Sequence, residues 1–168
     1  TERGTNTRRI LKDLIKKYIS DDISVALSKI AIAPSDIATD IFDALIQAKP
    51  ESKEHIAKSA LERTERGILV HALDILNGSE NINNFIPELY KTLKSAHEDV
   101  RIRSMKLLLQ TRDIKLFRTL FEKTKNDNFS IKEAETIGEV LYGLNPQAVY
   151  REMFDWIKPK GLFSFNKI

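Results

Sequence analysis

Apolar residues along this chain recur three and four positions apart, not two. Leu11, Leu14, Ile15, Tyr18 and Ile19 stand at i, i+3, i+4, i+7 and i+8, which places them on one stripe of a helix. The same spacing returns in Ile23–Leu27–Ile30, Ile37–Ile41–Leu45 and Ile86–Leu89–Tyr90–Leu93. It returns again in Ile102–Met105–Leu108–Leu109 and Leu116–Phe117–Leu120–Phe121. No stretch sustains the alternation of a half-buried strand. The pattern predicts ten helices, over roughly 7–19, 21–32, 35–48, 51–65, 67–77, 82–96, 98–111, 113–127, 130–144 and 146–158.

The residues between the stripes agree with these bounds. Pro34 and Pro50 sit where helices would begin, and Asn145-Pro146 offers an N-cap followed by proline at the first helical position. Ser130 and Glu133 have capping-box spacing. Asn77-Gly78 reads as a C-cap, since glycine takes the left-handed conformation cheaply. The connections are so short that each helix must fold back on its neighbour.

The helices also repeat. Shifted by 33, Leu116-Phe117-Arg118-Thr119-Leu120-Phe121-Glu122 falls on Val149-Tyr150-Arg151-Glu152-Met153-Phe154-Asp155. The shared grammar is apolar, aromatic, Arg, any, apolar, Phe, acid. The same shift carries Ala72 to Met105 to Gly138, and Ile75 to Leu108 to Leu141, on the second helix of each pair. About five units of roughly 30–34 residues result. Arg118 and Arg151 share one position on first helices, suited to the convex side or the contact between repeats. Gly138 is expected where two helices approach closely.

Asp99-Val100-Arg101, followed by Met105, Leu108 and Leu109, resembles the opening of the second helix in HEAT repeats. The match is best from about Asn84 to Thr111, with looser echoes at Ile131-Lys132 and Arg66-Gly67. The resemblance implies a valine packed inward, and an aspartate and an arginine that tie successive repeats. It also implies an all-α fold, a right-handed α-solenoid of about five antiparallel helix pairs, of the short HEAT-like kind common in bacteria. Such an array curves and presents a concave surface lined by second helices. On this reading residues 1–158 form one domain and 159–168 a tail, and the start at Thr1 rather than Met suggests a piece of a longer protein.

Composition narrows the chemistry. The chain has 168 residues, 42% hydrophobic and 30% charged, enough for a real core and unlike a disordered segment. It contains no cysteine, so disulfides, thiol nucleophiles and cysteine-held metals are out, and a reducing, cytoplasmic location fits. No apolar run approaches the roughly 20 residues that span a bilayer, and a membrane partner is not expected. Charge is uneven. Residues 101–125 carry eight cations against Asp113 and Glu122, net +6, whereas residues 34–66 carry seven acids against five bases.

No catalytic constellation stands out. His55, His71 and His97 are scattered and lack metal-ligand spacing. The glycines form no phosphate loop, and no nucleophile and base can be paired. Neither metal nor cofactor is expected. The chain therefore reads as a non-catalytic, monomeric protein-binding scaffold or regulatory module. Arg101, Arg103, Lys106 and Lys132 are candidate contacts for an acidic protein surface. The alternative is a nucleic-acid-binding solenoid using the same cations, with a helical DNA-glycosylase-like enzyme third. In the tail, Leu162, Phe163 and Phe165 among lysines would cap the last helix or dock a partner.

Overall fold

The computed structural model describes residues 35–126 and 128–157, with Arg9, Ile10 and Asp13 besides. The helices expected over 7–19 and 21–32 fall largely outside the described residues. So does the tail with Leu162, Phe163 and Phe165. Among the described residues the chain is helical throughout, without strands.

Eight α-helices follow one another: α1 (Ser35–Ala48), α2 (Lys53–Ala60), α3 (Arg66–Leu76), α4 (Ile86–Thr92), α5 (Glu98–Thr111), α6 (Ile114–Asn126), α7 (Ile131–Leu144) and α8 (Pro146–Ile157). Short 3-10 turns at Pro50–Ser52 and Ile82–Phe85 lead into α2 and α4. The local signals explain the ends. Gly78 adopts φ 87 just after α3, where a Cβ would be strained. The Ser130 hydroxyl accepts from the Glu133 amide at 3.2 Å, and the Asn145 side-chain oxygen accepts from the Ala148 amide at 3.0 Å.

The chain divides into two compact units, Thr1–Thr111 and Arg112–Ile168. In the first, α2 packs on α3 and α4 on α5; α3 packs on α5, and α1 touches both α2 and α3. In the second, α6 and α8 each pack on α7.

Burial fixes how the second helices correspond. Ile41, Ala72, Ser104 and Thr136 are all buried; so are Phe42, Leu73, Met105 and Ile137, and Leu45, Leu76, Leu108 and Val140. These three columns step by 31, 32 and 32 residues. The shift of 33 read along the sequence is therefore one residue too long for the core. It pairs Ala72 with Met105 although Ala72 fills the place of Ser104. Gly138 is corrected with it: the residue is exposed, and a Cβ there meets no atom within 4 Å, so no close approach requires glycine.

The small-residue column carries one polar junction. The Thr92 and Ser104 hydroxyls lie 2.7 Å apart in the buried seam between α4 and α5. Thr92 Oγ1 also stands 2.9 Å from the Leu89 carbonyl, and Ser104 Oγ 2.8 Å from that of Val100. Two hydroxyl protons serve three such contacts, so at any instant one of the three lacks a proton.

Candidate interaction face on the second helices

α3 and α5 are joined by polar pairs in order from end to end. At their starts, Arg66 Nη2 lies 2.6 Å from Asp99 Oδ2. In the middle, Arg103 pairs with Asp74. At their ends, the Gln110 amide donates to the Asn77 side-chain oxygen at 3.1 Å. Start meets start and end meets end, so the two helices run parallel. α1 joins this row through Asp43, whose carboxylate lies 3.0 Å from His71 Nδ1. That approach lacks the alignment of a hydrogen bond, for Asp43 Oδ1 is buried without one. The imidazole is held by packing instead, edge-on to Phe42 at 5.1 Å between ring centroids.

Helical phase decides which candidate cations share this face. Asp99, Arg103, Lys106 and Gln110 fall at i, i+4, i+7 and i+11 of α5, one stripe of side chains. Arg103, Lys106 and Gln110 are exposed. Arg101 is two residues from Arg103 and so about 200° around the helix. It is half-buried, and its guanidinium donates to the Ser95 carbonyl at 2.8 Å, in the loop before its own helix. Arg101 is thereby removed from the face on which the sequence placed it with Lys106. Lys132 is an exposed residue of α7, in the second unit.

The pairs leave a face of mixed charge. Arg103 is balanced by Asp74, while Lys106 has no ion-pair partner among the described residues. Acids prevail toward α1, with Asp40 and Asp43, and cations toward α5. Asp99 is a buttress of this face. Burial would push its carboxyl up, but the Arg66 hydrogen bond and charge, with the backbone N–H groups opening α5, hold it below the usual carboxylate range. Val100, beside it, is fully buried.

α2 and α4 are stitched in the same manner. Lys91 Nζ meets Glu62 at 2.7 Å, and Lys58 Nζ meets Glu88 at 3.3 Å, linking α4 and the end of α2. Two hollows lie in this unit, one of about 310 Å³ beside the Lys91–Glu62 pair and one of about 260 Å³ between the start of α2 and the loop after α3. Several of their charged groups are already engaged: Arg63 with Glu65, Lys91 with Glu62, and Glu54 with the Ser79 hydroxyl at 2.6 Å, while Lys53, Glu80 and Lys94 stand exposed at the rims. No three His, Asp or Glu side chains among the described residues gather where a metal could bind, and no described helix is long and apolar enough to cross a membrane.

Sequence reasoning placed none of Asp43, His71, Asp74 and Asn77 on an interaction face: His71 read as a scattered histidine and Asn77 as part of a helix C-cap. Their only signal is a polar partner 28 to 33 residues onward or back. Comparison of the chain with protein-family models, curated proteins and solved structures finds no match.

Proposed function

We propose that this chain is a protein-binding module: a right-handed solenoid of HEAT-like helix pairs whose row of second helices receives an acidic partner, without catalysis, in the cytoplasm. The observation that carries the reading is the α3–α5 row. Its polar links recur at 29 and 33 residues, close to one repeat length, and they lay side by side two helices that the chain separates. Such a row offers a broad surface in place of a cleft. Lys106 stands out of it as a cation without a partner among the described residues.

The same row weighs against nucleic acid. Phosphate binding gains from cations that are free to displace counterions. Here Arg103 is neutralised by Asp74, and Asp43 lies further along the row. A protein whose acidic surface is discontinuous suits the face better than a uniform polyanion.

The test is site-specific photo-crosslinking in nuclease-treated lysate of the source cells, with the crosslinker at position 106 and, as control, at exposed His55. A discrete protein captured from position 106 and lost in the Asp74→Lys variant supports the reading. Capture that occurs only before nuclease treatment transfers the face to nucleic acid.

A further inference from the structure

The second unit holds a depression of about 520 Å³, unrelated to the face of α3 and α5. That volume is in the range of ligand sites, roughly 300–1,000 Å³. Arg112, Ile114, Phe117 and Arg118 line it from the start of α6, and Asn145 from the end of α7. No acidic side chain lines it. Neither arginine has an ion-pair partner among the described residues. Asp113 stands between Arg112 and Ile114 in sequence, and its Oδ1 accepts from the Lys115 backbone amide at 3.0 Å, capping α6. Asn145 spends its side-chain oxygen on the Ala148 amide and keeps its NH2 group to donate.

The polar side chains of the rim are thus donors, two guanidinium groups and an amide, beside the backbone of Gly143 and Leu144. Beside them Ile114 is 81% exposed, so the rim offers aliphatic surface next to its cations. Phe117 is half-buried, with one ring face stacked on Phe121 at 6.0 Å and 7°. Arg112 has φ 53, a left-handed conformation in which glycine would be easier. Arginine is held there at a conformational cost, and its side chain forms no ion pair among the described residues that would offset it.

We propose that this depression binds an acidic segment of a partner protein, its carboxylate received by Arg112 and Arg118 and a neighbouring apolar side chain covering Ile114 and Phe117. Guanidinium groups match a carboxylate through paired hydrogen bonds, and such charge-assisted bonds are the stronger kind. The exposed isoleucine separates this occupant from a free anion or a nucleic-acid backbone, neither of which covers an aliphatic surface. The inference goes beyond the reading of the α3–α5 row and does not depend on it.

The test uses the whole chain as bait for a random dodecapeptide display library, followed by fluorescence anisotropy of the enriched peptides. Enriched sequences should carry Asp or Glu within two positions of an aliphatic or aromatic residue. Arg118→Gln and Arg112→Gly should each weaken their binding roughly tenfold, the scale of a lost charged hydrogen bond. Arg112→Gly relieves the left-handed backbone, so its melting temperature should be no lower than the parent's, which separates lost binding from lost folding. Lys106→Glu should leave the peptides bound, which distinguishes this site from the row on the first unit. The proposal is overturned if no peptide exceeds background, if the enriched peptides lack acids, or if both arginine variants bind them unchanged. Displacement of the peptides by equimolar inorganic phosphate or a short oligonucleotide overturns it too.

Discussion

The Arg66 guanidinium grips the Asp99 carboxylate with both of its arms, Nη2 to Oδ2 at 2.6 Å and Nε to Oδ1 at 3.1 Å, across 33 residues of chain. The fork joins the first turn of α3 to the first turn of α5. Asp99 also sits at the positive end of the α5 dipole, where a negative charge is favoured.

Asp99→Asn should therefore weaken the fold modestly, and in a pH-dependent way. The Arg66 side chain is 64% exposed, so the pair is well screened, and a loss of about 0.5–1 kcal/mol at pH 7 is expected. The folded carboxyl titrates below its ordinary value. Its contribution is therefore complete above an unfolded pKa of about 3.9 and disappears as pH falls through the lower, folded value. Urea unfolding of parent and variant should differ at pH 7 and converge in strong acid. An equal difference at both pH values would show that the charge is not what matters.

The contrast between Asp99 and Arg101 shows what sequence can carry. Helix ends announce themselves within four residues, as at Ser130–Glu133, Asn77-Gly78 and Asn145-Pro146, and six of the eight described helices keep the predicted bounds to within one residue, whereas α2 and α4 are shorter than the predicted 51–65 and 82–96. The ties between helices act across 28 to 33 residues, and nothing beside Asp43 marks His71 as its neighbour. A count of cations groups Arg101 with Arg103 and Lys106; only the phase of α5 about its own axis turns Arg101 away. Phase also separates a period of 32 from one of 33, because a shift of one residue turns a side chain about 100° around a helix. The depression beside Ile114 was equally hidden, since an isoleucine in a helical pattern reads as core.

The core register can be checked by paired truncations. Leu76 is fully buried in the column of Leu108 and Val140, whereas Ile75 beside it is only half-buried. Leu76→Ala should cost about 2–4 kcal/mol through lost contacts and a residual cavity. Ile75→Ala should cost about 1 kcal/mol. Equal losses in chemical denaturation would restore the longer period.

Ser104 occupies the small-residue column in which Ala72 stands one repeat earlier. Ser104→Ala removes one hydroxyl from a cluster that is short of protons, and leaves Thr92 its bond to the Leu89 carbonyl. The loss should stay within about 1 kcal/mol. Ser104→Leu, which drives a large side chain into the seam of α4 and α5, should cost about 1–3 kcal/mol or more. Thermal unfolding of the two variants would reverse this order only if the hydroxyl cluster, and not the space, decided the position.

Glu88 presents the opposite case, a carboxylate held where little compensates it. Its residue is 7% exposed, Oε1 lies 3.3 Å from Lys58 Nζ, and Oε2 is buried without a hydrogen bond. Replacing a buried ion by an apolar residue of similar size is often neutral or favourable, whereas removing only its partner leaves the charge stranded. Glu88→Met should therefore be neutral or stabilising by up to about 1 kcal/mol. Lys58→Ala should destabilise by about 1 kcal/mol, a figure kept small because the lysine side chain is 48% exposed and Lys91 adds a second positive charge nearby. In the double variant the cost of Lys58→Ala should vanish, since no carboxylate is left to strand. Urea unfolding of the four proteins measures this coupling directly. If Glu88→Met instead lost several kcal/mol, the carboxylate would be a structural tie between α2 and α4 and not a tolerated burden.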